Sequence, residues 1–102
     1  MTEVSAFTIE HEDEEGADRG RYVVRLEGGH LAVLEYSRLD GGVVSADRTF
    51  TPLPARGQGV AAALVARLVE DARRQSLTIR PTCPYVADWF ERHPEAKDVL
   101  AA

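Results

Sequence analysis

Several features common in proteins are scarce in this sequence of 102 residues, and each scarcity excludes a class of protein. The single cysteine rules out an internal disulfide, and zinc sites ordinarily need more Cys and His ligands. Positive charge is low: the formal net charge is −5, whereas non-specific nucleic-acid binding needs a basic surface. No apolar run reaches the roughly 18 residues of a bilayer span, and the first residues lack the pattern of a signal peptide. We therefore expect a cytoplasmic protein with no metal, nucleic-acid or membrane partner.

What is present is the composition of a folded domain. Hydrophobic residues make up 44% of the chain and charged residues 28%, a balance typical of globular proteins rather than disordered ones. A chain of this length can build one modest hydrophobic core with little room for appendages. We expect a single domain over residues 1–102.

The first half of the chain has the two-residue period of β-strands. Tyr22 and Val24, for example, share one face of a predicted strand, and Arg25 lies on the other. The predicted strands cover residues 6–11, 21–27, 30–39 and 43–50. An acidic segment and two glycine pairs predict the hairpin turns between them, at residues 12–20, 28–29 and 41–42.

After residue 50 the hydrophobic residues recur with the period of a helix. Val60, Leu64 and Leu68 form the apolar face of a helix predicted over residues 57–75. The residues assigned to its opposite, polar face are Arg67, Glu70, Asp71 and Arg74. A short strand over residues 77–81, a second helix over residues 84–94 and a tail that is a last turn or a frayed end follow.

This order of elements predicts an α+β fold. A strand, a helix and a second strand in succession imply a right-handed crossover between two parallel strands. We expect a mixed β-sheet in which antiparallel N-terminal strands are followed by a parallel β-α-β unit and a C-terminal helix.

The segment LPARGQGVAAALV, Leu53 to Val65, starts the first helix and has two possible purposes. The first N–H groups of a helix have no partner within it, and its dipole favours an anion there. Gly57 and Gly59 would let a phosphate approach the backbone, and Arg56 could add charge-assisted hydrogen bonds. The glycines could equally serve only the turn. A P-loop is excluded because Val60 and Ala61 stand where Lys and Ser or Thr are required.

The spacing Arg56-x-x-Gly59-x-Ala61 resembles the acyl-CoA pyrophosphate motif of the GNAT superfamily of N-acetyltransferases. The longer pattern RTFTP, RGQGVAAALV and TIRPTCPYVADWFERHPE is similar to small single-domain GNAT-like proteins of the YjdJ type, over about residues 22–100. The sequence departs from that pattern at one position, where Arg48 precedes Thr49 in place of the usual histidine.

The resemblance implies a site for acetyl-CoA or CoA in a gap between two parallel strands, residues 43–50 and 77–81. Backbone near the end of the first strand would contact the pantetheine arm, and the helix start would hold the pyrophosphate. The residues expected to bind the cofactor are Phe50, Thr51, Arg56, Gly57, Gln58, Gly59, Val60, Ala61, Thr82 and Tyr85.

Cys83 is the expected catalytic residue. It lies where the second strand gives way to a helix, and the field at a helix N-terminus favours a thiolate. The thiol could act as a general base, as an acid toward CoA or as a transient acyl acceptor. The alternative is a buried cysteine that acts as a small hydrophobic residue.

Other candidate residues have simpler interpretations. Glu35 could be a base on a central strand, but alternation favours the solvent face. Tyr85 could contact the thioester sulfur or belong to the core. Trp89 and Phe90 are expected in the core, and His93 is expected to end the second helix. Asp88 and Arg92 are expected to form a surface ion pair. His11 and His30 are expected to lie in or beside turns, where they belong to no motif.

These observations predict an acyl-CoA-dependent N-acyltransferase, with acetyl as the expected acyl group and an amine of unknown identity as acceptor. The first alternative is a CoA-binding module with little or no transferase activity, to which the departure at Arg48 points. The second is an interaction domain in which the glycines serve only the turn.

Overall fold

The computed structural model describes residues 7–13 and 18–101. Its strands are β1 (Glu10–Asp13), β2 (Arg19–Arg25), β3 (Leu31–Leu39), β4 (Val43–Phe50) and β5 (Thr78–Pro81). Its α-helices are α1 (Val60–Arg74) and α2 (Pro84–Arg92). Short 3₁₀ helices cover Glu27–Gly29, Leu53–Ala55 and Pro94–Val99.

The five strands form one sheet in the order β1-β2-β3-β4-β5. The first three pairs of neighbouring strands are antiparallel, and β4 and β5 are parallel. Helix α1 connects β4 to β5, as the crossover between parallel strands requires. The α+β class, the mixed sheet and the order of its strands are as the sequence predicts.

The helices pack on one face of the sheet, and the core lies between them. Tyr22, Leu34 and Val44 from the strands join Leu64 of α1 and Phe90 of α2 in one cluster of buried side chains. Each fully buried apolar side chain of this kind contributes about 1.5–3 kcal/mol to stability. The alternate side chains of each strand lie on the opposite face of the sheet, which has no layer of helices among the described residues. We call it the open face.

The predicted bounds of the first strand and of the turn after it are wrong. Strand β1 covers Glu10–Asp13 rather than residues 6–11, so the acidic residues at 12 and 13 belong to a strand instead of a turn. Residue 6 and the turn residues 14–17 lie outside the described residues. Of the two alternatives for the tail, the last turn is correct: Pro94–Val99 is a 3₁₀ helix, Ala96 and Val99 are buried, and Leu100 bridges to Ile79.

The assignment of Asp71 to the polar face of α1 is also wrong. Its side chain is buried and accepts a hydrogen bond of 2.7 Å from the hydroxyl of Tyr22. Arg67 and Arg74, on the same helix, donate to the same carboxylate. A buried carboxylate is tolerated here because three donors replace its water. Burial and the hydrogen bond to Asp71 in turn raise the pKa of Tyr22 well above its ordinary value.

His11 lies within β1 and not beside a turn. Its ring stacks on Tyr22 at a centroid distance of 4.3 Å, and its Nε2 is 2.5 Å from the hydroxyl of Tyr36. Gly20, opposite Tyr36, makes this arrangement possible, because a Cβ there would collide with that hydroxyl. The rings of His11, Tyr22 and Tyr36 thus lie together at the edge of the core under β1.

The described part of the chain contains no helix that is both long and apolar enough to cross a membrane.

Candidate functional site

Strands β4 and β5 part from each other halfway along β4. Their parallel pairing runs from Val43 with Thr78 to Ala46 with Pro81, while β4 continues to Phe50. The last link is the backbone N–H of Cys83, which donates to the carbonyl of Ala46 at 2.9 Å. The second half of β4 therefore has an edge that β5 does not cover, and a cleft opens there.

An irregularity in β4 marks the start of this cleft. Glu35 of β3 pairs with Arg48, whereas the next residue, Tyr36, pairs with Ala46, so Asp47 is an extra residue in β4. Such a bulge bends the strand and increases its local twist. The bulge explains why β4 turns away from β5 beyond Ala46.

The loop after β4 leads to a helix start with no side-chain cap. Gly59 is the N-cap residue of α1 with a φ of 84°, and Gly57 has a φ of 83°. A Cβ at either glycine would meet nothing within 4 Å, so the space above the loop is open. The N–H groups of the first helical turn, from Val60 onward, have no partner within the helix. Such a cradle fits a phosphate group, because it offers backbone donors and the positive end of the helix dipole.

Two side chains of the loop hold it against the end of β4. The Nε of Arg56 donates to the carbonyl of Thr51 at 3.0 Å, and the amide of Gln58 is 3.4 Å from the carbonyl of Pro54. Both side chains are exposed. The remaining N–H groups of the Arg56 guanidinium are directed to no other described residue, so they are available to an anion.

Cys83 is the N-cap residue of α2 and lies at the base of the cleft. Its side chain is buried, and its Sγ is 3.7 Å from the hydroxyl of Thr49 on the uncovered half of β4. Burial alone would raise the pKa of the thiol, but the backbone N–H of Val86, the Thr49 hydroxyl and the N–H groups of Tyr85 and Thr49 outweigh it. The pKa of Cys83 is therefore lowered, and the site favours a thiolate.

Two hydroxyl groups connect the residue before Cys83 to a carboxylate of β4. Ser45 Oγ lies 2.8 Å from Thr82 Oγ1 and donates to Asp47 Oδ1 at 2.6 Å. Because a carboxylate only accepts, the proton of Ser45 points to Asp47, and Thr82 must donate to Ser45. Thr82, next to Cys83, is thereby linked to the carboxylate of Asp47.

The structure brings most of the predicted site residues to this cleft. Phe50 and Thr51 end β4, residues 56–61 form the loop and helix start, and Thr82 and Cys83 follow β5. Tyr85 is 39% exposed, so the interpretation of this residue as part of the core is wrong. It lies on the first turn of α2, beside Cys83, where its side chain is accessible to a ligand.

The remaining candidates have structural roles. Trp89 and Phe90 are buried in the core, as predicted. His93 ends α2, and its Nδ1 lies 2.7 Å from the carbonyl of Trp89. The predicted surface pair of Arg92 and Asp88 is present at 3.0 Å. None of these side chains reaches the cleft.

Arg48 lies on the opposite side of the sheet from Cys83. Its guanidinium pairs with Glu35 at 3.3 Å on the open face, whereas the next residue, Thr49, points to the helix face. Because successive side chains of a strand alternate, residue 48 does not face the thiol of Cys83. The arginine at this position therefore leaves the surroundings of the thiol unaltered.

Sequence reasoning gave no role to the side chains of three residues of the site. Thr49 contacts the thiol, and Ser45 and Asp47 complete the link to Thr82. The alternation of β4 gives no sign of the bulge that turns Asp47 toward the two serines. For Thr49 the sequence predicted only a position near the cleft, because the gap between the two parallel strands was expected beside the end of β4.

A groove of about 750 Å³ occupies the open face above the bulge. Charged residues of β1 to β4 make up most of its lining, which includes Asp47, the residue after the last one of β4 that pairs with β5.

Comparisons with known proteins agree with this geometry. A family model described as GCN5-related N-acetyl-transferase matches residues 21–99. The solution NMR structure of a GCN5-like protein from Staphylococcus aureus is similar in fold, with a TM-score of 0.65 and 24% sequence identity. The match covers 97% of this chain and 92% of that one. The chain belongs to the family of GCN5-related N-acetyltransferases.

Proposed function

We propose that this protein is an acyl-CoA-dependent N-acyltransferase that uses acetyl-CoA and acts as a single domain over residues 1–102. The observation that carries the proposal is the uncapped start of α1 at Gly59 beside a cleft whose base holds the thiol of Cys83. Its one cysteine is a free thiol, which fits a reducing compartment, and we propose the cytoplasm.

The backbone of the β4–α1 loop would bind the pyrophosphate of CoA. Gly57 and Gly59 keep the loop open, and the first N–H groups of α1 donate to phosphate oxygens. Arg56 adds positive charge next to them. The uncovered edge of β4 near Phe50 and Thr51 offers backbone groups to the pantetheine arm.

Acetyl-CoA would supply the thioester: the amine nitrogen bonds to the acyl carbon, the carbon–sulfur bond breaks, and the proton lost by the amine neutralises the CoA sulfur. Cys83 assists the movement of that proton. As a thiolate its Sγ accepts the proton of the attacking amine, and as a thiol it donates the proton to the leaving sulfur. Thr49 and the first turn of α2 hold the Sγ in place.

A second candidate is a CoA-binding module without transferase activity. The burial of Cys83 favours it, because a buried thiol can serve as a small hydrophobic residue of the core. The two candidates share the phosphate-binding loop and differ only in the use of the thiol.

Calorimetry with CoA and mass spectrometry of acetyl transfer to a panel of amines, peptides and proteins distinguish these candidates. The transferase predicts binding, transfer to at least one acceptor, and a rate about 100-fold lower in Cys83→Ala, since general acid–base catalysis contributes at least that much. The CoA affinity of Cys83→Ala should stay within about twofold. Binding without transfer to any acceptor would favour the module, and absence of binding at millimolar CoA would exclude both.

A further inference from the structure

The charged residues of the open-face groove are paired with one another, with two exceptions. Seven residues of its lining are charged, and five of these have ion-pair partners. The pairs are Arg21 with Glu12 at 2.7 Å, Arg48 with Glu35 at 3.3 Å, and Asp13 with Arg38 at 2.6 Å. Asp47 and Arg19 have no ion-pair partner among the described residues. Within residues 7–13 and 18–101, the groove therefore presents one anion and one cation that no ion pair neutralises.

The carboxylate of Asp47 is held in a fixed orientation. Ser37 donates to its Oδ2 at 2.5 Å and Ser45 to its Oδ1 at 2.6 Å. A serine donor on each oxygen fixes the plane of the carboxylate without neutralising its charge. Asp47 is the bulged residue of β4 and directly follows Ala46, where the pairing of β4 with β5 ends.

Arg19 lies across the groove from Asp47. It pairs with Ser37 in the register of β2 and β3, and Ser37 holds Asp47. The backbones of β2 and β4 are two strand spacings apart, or about 10 Å. Both residues line the same groove, so one small molecule bound there can contact both charges.

We infer that the open-face groove is the acceptor site and that it binds a small molecule with both an amine and a carboxylate. Asp47 binds the ammonium group beside the cleft, and Arg19 binds the carboxylate at the far side of the groove. This inference rests on the proposed function, because it assigns the acceptor of that reaction. Asp47 and Arg19 are specificity-determining residues, distinct from the groups that hold CoA.

The charge pattern argues against two other classes of acceptor. A polyamine would need a second uncompensated anion, but Glu12 and Glu35 are already paired. A basic protein tail would meet Arg19, an exposed cation, at the edge of the groove. An amino acid satisfies both charges, and its carboxylate gains a bidentate partner in Arg19.

The test is NMR titration of the ¹⁵N-labelled full chain with a graded series of probes: glycine, β-alanine, 4-aminobutanoate and 5-aminopentanoate. Each is compared with its carboxamide, which removes the negative charge at nearly constant shape. The titrations are run in saturating CoA and repeated without it, so that failure to bind CoA is recorded separately from failure to bind an acceptor.

The expected result is that at least one amino acid binds at least tenfold more tightly than its carboxamide and shifts the amide signals of Arg19, Ser37 and Asp47. Equal affinity of every acid and its carboxamide, or shifts elsewhere only, would overturn the inference even if CoA binds and transfer occurs. Preferred binding of the diamine cadaverine would overturn it in favour of a polyamine.

Two variants and a matched control assign the charges. Arg19→Gln should remove the preference for the acid over the carboxamide, and Asp47→Asn should weaken the binding of both about tenfold. Arg80→Gln is the control. Arg80 is an exposed arginine of β5 on the same face of the sheet, and it does not line the groove. Loss of the preference in Arg80→Gln and not in Arg19→Gln would contradict the assignment.

Discussion

At the scale of single residues, the chemistry depends on the surroundings of one thiol. Cys83 is buried, which disfavours its charged form, yet donors from the first turn of α2 and from Thr49 lower its pKa. A cysteine that only fills space in a core has no need of such donors. The arrangement of donors therefore supports a role in proton transfer for Cys83.

The first prediction concerns the reactivity of this thiol. The rate of alkylation by iodoacetamide should rise with pH around a midpoint below the ordinary thiol pKa of 9.0. Thr49→Val removes the hydroxyl donor to Sγ and should raise the midpoint. The rate at neutral pH should fall about fivefold, which corresponds to a weak hydrogen bond of about 1 kcal/mol.

Thr51→Val is the control for this measurement, because the Thr51 hydroxyl makes no described contact with the thiol. Its midpoint should equal that of the unsubstituted protein. A midpoint at or above 9.0 in the unsubstituted protein would contradict a site that favours the thiolate.

At the scale of elements, the proposed CoA site depends on the loop between β4 and α1. Two glycines with positive φ shape this loop, and no side chain caps the helix that follows. A helix with Gly at its N-cap is less stable than one capped by Ser, Thr, Asp or Asn by only about a few tenths of a kcal/mol. An anionic ligand would replace the missing cap.

The second prediction is that Gly59→Ala weakens CoA binding about tenfold or more, because a Cβ would enter the space above the loop. Gly41→Ala is the matched control: Gly41 has a φ of 81°, and its Cβ also would meet nothing within 4 Å, but it lies in the turn between β3 and β4. Both substitutions should cost a similar 1–2 kcal/mol of backbone strain.

Thermal unfolding and calorimetry separate the two effects. The melting temperatures of Gly59→Ala and Gly41→Ala should fall by similar amounts, while only Gly59→Ala loses affinity for CoA. Equal CoA affinities in the two variants would mean that the glycines serve the turn alone.

At the scale of the whole molecule, a buried polar contact ties α1 to the sheet. The hydroxyl of Tyr22 on β2 donates to Asp71 on α1, 49 residues later in the chain. Because burial and this hydrogen bond raise the pKa of Tyr22, the folded state keeps the proton that the unfolded state releases above pH 10.

The third prediction follows from this difference. The stability contributed by neutral Tyr22 is fully present below the ordinary tyrosine pKa of 10.0 and is lost as pH rises above it. The free energy of unfolding should therefore decline above about pH 10, by up to about 1.4 kcal/mol per pH unit for one tyrosine. Urea unfolding between pH 8 and 11 measures this decline.

Tyr22→Phe tests the assignment. The variant should be less stable at pH 8, since it loses the hydrogen bond to Asp71, and its stability should decline less steeply above pH 10. The same pH dependence in Tyr22→Phe and the unsubstituted protein would show that another group is responsible.

Much of this architecture follows from local sequence, and the rest does not. The two-residue period predicted the strands, and the recurrence of Val60, Leu64 and Leu68 predicted α1, because both patterns reflect burial of one face. The partner of Asp71 is on β2, so a helical pattern could only assign Asp71 to solvent. The bulge at Asp47 depends on the pairing of β4 with two neighbours, which alternation within β4 does not encode.

The most direct test of the central claim is an NMR titration of the ¹⁵N-labelled protein with CoA. The account predicts the largest changes in the backbone amides of residues 57–61, with further changes at Thr49 and Cys83, and smaller changes on β1. Changes confined to other surfaces, or no change at millimolar CoA, would contradict the proposal that the loop and the cleft between β4 and β5 bind the cofactor.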